Sequence, residues 1–84
     1  MRSLRNSSDE LFRRFGRKVA ARRKSMRLTQ AEVAVLSGCS ELFVRELEKG
    51  KPTVRLDKAV SVLSSLGFEL RLSDGQRGLS FDDA

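Results

Sequence analysis

Residues 29–50 read TQAEVAVLSGCSELFVRELEKG, and this stretch decides the fold. Thr29 followed three residues later by Glu32 is a capping-box pattern, in which a hydroxyl and a carboxylate satisfy helix-end amides reciprocally. A helix is therefore expected over about Gln30–Ser37, burying Val33, Ala34 and part of Leu36, with Gly38 ending it. Ser40 starts a second helix, about Glu41–Lys49, which turns Val44 and Leu47 inward and closes at Gly50. Two helices of this length, joined through Gly38-Cys39-Ser40, make a helix-turn-helix when the second is amphipathic and polar outward. The small side chains of Ala31 and Ala34 let the pair approach closely.

Upstream, Ser8 followed by Asp9 and Glu10 resembles a helix start, so residues 1–8 read as a flexible arm. Leu11, Phe12, Phe15, Val19, Arg23 and Met26 then fall near a 3-4 spacing and predict a helix over about Asp9–Met26, slightly weakened by Gly16. Downstream, Pro52 fixes the loop Lys51–Val54. A fourth helix is expected over about Leu56–Leu66, with Leu56, Ala59, Val60, Leu63 and Leu66 on its buried stripe and Gly67 as its stop. Residues 68–72, FELRL, switch to period two and predict a strand. Residues 73–84 lack periodicity and are expected to be a flexible tail, disordered in isolation. The domain proper is thus residues 9–72, and no internal repeat is found.

A chain of 84 residues holds one small domain, and one this short buries only about 60 % of its unfolded surface. A second copy of itself would add stability. Seventeen Lys and Arg against eleven Asp and Glu give a net charge of +6, concentrated in residues 1–27. Histidine is absent and Cys39 is single, which excludes an internal disulfide and an ordinary zinc site. Cys39 reads as a small filler in the turn. No nucleophile–base pair stands out, so no catalytic residue, metal or cofactor is expected, and the chain does not read as an enzyme. There is no apolar run of membrane-spanning length, and the N-terminus is polar, so the expected location is the cytoplasm.

The residues 29–34, then Gly38, Val44, Leu47-Glu48 and Gly50-Lys51 resemble the DNA-binding domain of phage repressors, the Cro/cI or XRE family. A narrower likeness lies in residues 48–58, EKGKPTVRLDK, and 66–72, LGFELRL. These are similar to HipB-type antitoxins, which repress their own operon and bind a HipA-type serine/threonine kinase toxin. The resemblance covers about residues 10–73. It implies a mainly α, four-helix lambda-repressor-like domain ending in a short β-strand.

The resemblance also implies roles. Gln30 matches a glutamine that contacts a DNA phosphate and braces the second helix of the motif. Ser40, Glu41, Leu42, Arg45 and Glu46 match positions that face base edges or flanking phosphates. Thr29 and Lys49 join this DNA-facing set, and Lys51 and Thr53 match a loop that meets the backbone. Arg23 and Glu48 match a partly buried salt bridge between the first and third helices. Pattern supports that last assignment, because Arg23 lies on an apolar stripe where a charge needs a partner.

Elementary chemistry agrees. The N-terminal part of a recognition helix enters the major groove while the helix before it crosses the backbone. Arg45 suits guanine O6 and N7 or a phosphate, Glu41 a cytosine amine, and Leu42 a thymine methyl. Glu41 and Glu46 bring negative charge toward a polyanion, so each must be used or paired; for Glu46 pairing is the reading preferred. Phe43 is expected to pack against Pro52 and Val54 rather than meet DNA.

The strand completes the reading. One strand in a helical domain leaves its amides and carbonyls unpaired, and pairing with the same strand of a second chain solves this. An antiparallel pair centred on Leu70 sets Phe68 against Leu72 and Glu69 against Arg71. The function expected is a homodimeric, sequence-specific repressor on a palindromic double-stranded operator, with a HipA-like kinase as its toxin partner. Two alternatives stand beside it: a stand-alone regulator of the same fold, and a protein-interaction adaptor. RNA binding is disfavoured, since there is no Tyr or Trp on which bases could stack.

Overall fold

The computed structural model describes the backbone of residues 2–72 and 79–83 and the side chains of residues 9–72. Four helices come first: α1 (Arg2–Ser25), α2 (Gln30–Ser37), α3 (Glu41–Lys49) and α4 (Leu56–Ser65). Two strands follow, β1 (Phe68–Leu72) and β2 (Leu79–Asp83). The local chemistry of the motif is that of its sequence. Thr29 Oγ1 accepts from the Glu32 N–H at 3.0 Å while the Thr29 N–H donates to the Glu32 carboxylate at 2.8 Å. Ser40 Oγ accepts from the Phe43 N–H at 3.0 Å and starts α3.

The core draws one to three residues from each helix. Val19, Val33, Ala34, Val44, Leu47, Ala59, Val62, Leu63, Leu66 and Phe68 are all at most 5 % exposed. Each fully buried Val, Leu or Phe among them contributes about 1.5–3 kcal/mol. Phe15, Leu28, Cys39, Phe43, Val54 and Leu70 pack around them, so Cys39 and Phe43 serve the interior in part. Helix α1 packs on α3, α2 on α3 and α4, and α4 on β1.

Two glycines set how closely α1 can lie on α3. A Cβ at Gly16 would fall on the carbonyl oxygen of Glu48 and within 2.6 Å of that of Leu47. At Gly50 it would come within 2.8 Å of the Arg13 Cα, and the backbone there is left-handed, with φ +88°. Gly16 therefore does more than weaken its own helix.

Several expectations need correction. Helix α1 runs through the segment expected to be an arm, because residues 2–8 hold no Pro or Gly and extending a formed helix costs little. Met26 lies beyond the end of α1 and is exposed. On α4 the buried stripe is Ala59, Val62, Leu63 and Leu66, while Leu56 and Val60 face outward. That helix offers apolar residues for two overlapping stripes, and packing chose the other one. Leu36 is 61 % exposed, since α2 rests on its neighbours through Val33 and Ala34.

The strand does have a partner within its own chain. β1 pairs antiparallel with β2, setting Leu72 opposite Leu79, Leu70 opposite Phe81 and Phe68 opposite Asp83. The two-residue spacing of Leu79 and Phe81 matches that of Leu70 and Leu72, which is the sequence reason for a hairpin. Residues 73–78 and 84, part of the expected tail, lie outside the described residues.

Candidate nucleic-acid interface

The motif is fastened from behind by one ionic knot. Arg23 of α1 donates from Nε to Glu48 Oε2 at 2.6 Å and from Nη2 to Glu48 Oε1 at 3.0 Å. Its Nη1 donates to the Leu28 carbonyl at 2.9 Å. Gln30, the first residue of α2, donates its side-chain amide to Glu48 Oε1 at 3.0 Å. The two charged side chains are only 12 % and 7 % exposed. Hydrogen bonding to Glu48 raises the Arg23 pKa above its ordinary value, outweighing the opposing effect of burial. One carboxylate near the end of α3 thus holds α1 and the start of α2 at once. Among the described residues no buried side-chain polar atom lacks a partner.

The start of α3 is open. Glu41, Leu42 and Arg45 are exposed there, on a helix whose other side carries Val44 and Leu47 into the core. Arg45 Nη2 stands 3.7 Å from Glu41 Oε2, an i,i+4 contact between side chains that are 45 % and 51 % exposed. Such a contact is worth about 0–1 kcal/mol and releases its arginine readily. Glu46 pairs with Lys51 at 3.2 Å, so its charge is answered within the chain.

The hydroxyls of Thr29 and Ser40 accept from helix amides with one lone pair each and keep their own O–H to donate. Lys49 and Thr53 are exposed. Gln30 has a second amide hydrogen beyond the one given to Glu48. In the strand, Arg71 reaches Glu69 of its own chain at 2.8 Å.

The geometry therefore gathers Thr29, Gln30 and the α3 residues on one rigid unit. Phe43 lies at the foot of a groove it shares with Leu42, Lys51, Thr53, Val54 and Lys58. Three contributions were missing from the sequence reading. Leu28 enters the knot through its carbonyl, which no side-chain pattern announces. Arg22 donates to the Leu66 carbonyl at 2.8 Å and stacks 4.2 Å over the Phe68 ring, tying α1 to the end of α4. Arg27 adopts a left-handed backbone, and the short interval between the end of α1 and the Thr29 cap was the available signal.

A helix-turn-helix held at the back and open at the front is the architecture of a DNA-binding domain. No family model matches the chain. It is 39 % identical over 56 residues to y4mF, an uncharacterized HTH-type transcriptional regulator of Sinorhizobium fredii. The match spans 66 % of this chain and 74 % of the relative. The chain belongs to the HTH-type transcriptional regulators. Among the described residues no helix is long and apolar enough to cross a membrane.

Proposed function

We propose that the chain is a sequence-specific repressor that binds double-stranded DNA as a homodimer, with α3 as recognition helix. The observation that carries this reading is the contrast along α3: a buried knot near its C-terminal end, and Glu41, Leu42 and Arg45 unburied toward its start. Ser40, Glu41, Leu42 and Arg45 meet bases or adjacent phosphates. Thr29, Gln30, Lys49, Lys51 and Thr53 meet the backbone, and Glu46 serves mainly to hold Lys51 in place. The net charge of +6 favours the same partner.

The dimer uses the second edge of β1. In the two-stranded sheet β2 takes one edge of that strand and leaves the other for a partner. Antiparallel pairing about Leu70 sets Phe68 against the other chain's Leu72. The Glu69–Arg71 contact within one chain is then exchanged for two across the seam. Such a dimer holds two recognition helices about 34 Å apart, one per major groove. Glu69→Arg should weaken the dimer in sedimentation and Arg71→Glu on top should restore it; a swap that fails to rescue removes this seam.

By its likeness to HipB-type antitoxins over residues 48–58 and 66–72, the repressor is read as the antitoxin of a HipA-like serine/threonine kinase, acting in the cytoplasm. A stand-alone regulator is the second reading, favoured by the name of the relative, which speaks only of transcription. A kinase reading frame beside this gene, and its co-purification with the chain, separates the two. The basic test is a DNA titration at several salt concentrations. Affinity should fall steeply as salt rises, because phosphate neutralisation releases counterions, whereas a flat response would remove DNA from the account.

A further inference from the structure

Arg27 stands apart from the other basic residues near α1. Among the described residues it is the only non-glycine with a left-handed backbone, at φ +60°. The turn that ends α1 requires this conformation. The N–H groups of Met26, Arg27 and Leu28 donate at 3.0–3.1 Å to carbonyls of Arg22, Lys24 and Arg23. Glycine would meet the same need without steric cost. The backbone thus gives no reason for an arginine.

Local charge gives none either. Arg27 is exposed, and the ion pairs among the described residues do not include it. Its setting, by contrast, is rigid. Leu28 donates its N–H to the Arg23 carbonyl at 3.1 Å and accepts from Arg23 Nη1 at 2.9 Å. The same guanidinium holds Glu48 of α3. A strained residue fixed in this way, with an unpaired cationic side chain, stands two positions before the Thr29 cap of α2. Strain kept at such a place points to use of the side chain.

We propose that Arg27 is a phosphate-binding residue, whose guanidinium grips a DNA backbone phosphate beside the start of α2. The left-handed turn fixes the direction in which the side chain leaves. A guanidinium matches a phosphate bidentately, and the N-terminus of α2 adds partial positive charge beside it. The contact positions the duplex and reads no base. This inference rests on the DNA-binding reading above.

The test uses the full chain with Arg27→Gly, Arg27→Asn and Arg27→Lys. Each is titrated over a range of salt against a duplex selected from a random library and against a random duplex, and each is melted. Gly and Asn both accept the left-handed turn, so both should melt at or above wild type. Their affinity should drop about eightfold at 0.1 M salt on both duplexes, and the log–log salt slope should flatten by about 0.9, the share of one phosphate. Lys should keep the wild-type slope. Unchanged affinity and slope in Gly and Asn, with wild type binding DNA, overturns the proposal and leaves DNA binding standing. A loss confined to the selected duplex also overturns it, since that marks a base contact. So does a lowered melting temperature in both variants, which would assign Arg27 to the fold. If wild type binds neither duplex, this inference and the reading beneath it fall together.

Discussion

Helix α3 takes part in an arginine–glutamate pair at each of its two ends, and the two pairs differ in every respect that matters. Glu48 with Arg23 lies at its C-terminal end, the back, and Glu41 with Arg45 at its start, the front. At the back, Glu48 takes two hydrogen bonds from Arg23, at 2.6 and 3.0 Å, and a third from Gln30 at 3.0 Å. At the front, Glu41 and Arg45 share one loose contact of 3.7 Å in water. Removing a partner from a buried pair strands a charge, whereas an exposed pair is nearly free to break. The lesson is a division of labour. The back fixes where α3 lies, so the front can exchange its internal contact for a base or a phosphate without disturbing the fold.

The largest expected effect lies at the back. Arg23→Met or Glu48→Met should cost about 3–5 kcal/mol at full burial, and the lower part of that range where water still reaches the pair. In thermal melts the double variant should be less damaged than the sum of the singles. Simple additivity would mean that the two ends of α3 do not differ as described. Next comes Gly16→Ala, where the added methyl meets the Leu47 and Glu48 carbonyls. Overpacking should cost about 1–3 kcal/mol in a melt, although alanine favours a helix by about 1 kcal/mol.

The front should behave in the opposite manner. Arg45→Ala should change stability by no more than about 0.5 kcal/mol. In binding it should cost about 1–3 kcal/mol with altered base preference if it reads guanine, or weaken all sequences evenly if it grips phosphate. A destabilised Arg45→Ala would break the comparison from the front. The smallest effect concerns a further exposed pair, Arg55 with Asp57. Hydrogen bonding from Arg55 holds the Asp57 carboxyl below the usual carboxylate range. A lowered folded value stabilises above the unfolded pKa and is lost as pH falls through the folded one. Arg55→Ala should therefore raise the Asp57 pKa toward its ordinary value in an NMR titration, and the small loss of stability that accompanies it should be present at neutral pH and vanish in acid.

What the sequence made legible follows the range of the forces involved. The motif's boundaries are written in local chemistry: Thr29 with Glu32, Ser40, and the glycines at 38 and 50 all act within a few residues. Val44 and Leu47 were likewise readable, because α3 has only one apolar side. Helices with surplus apolar residues were not so readable. On α2 and α4 the sequence offered Leu36 and Val60 to the core, and tertiary packing took Val62 on α4 and left Leu36 out. The β2 partner of β1 went unseen because a five-residue strand in a polar tail carries little periodicity of its own. In the candidate interface, residue types could suggest Arg45 and Gln30. They could not show that Gln30 and Arg23 share the Glu48 carboxylate, or that the turn at Arg27 is left-handed.

The central claim is that the open side of α3 reads double-stranded DNA. Selection of bound duplexes from a random library tests it most directly, run in parallel with the wild-type chain and with Arg45→Ala. The account predicts that wild type enriches a two-fold symmetric sequence whose half-site centres lie about 10 base pairs apart, and that Arg45→Ala loses or alters that preference. A library that emerges unenriched, or the same sequence recovered equally well by Arg45→Ala, would contradict it.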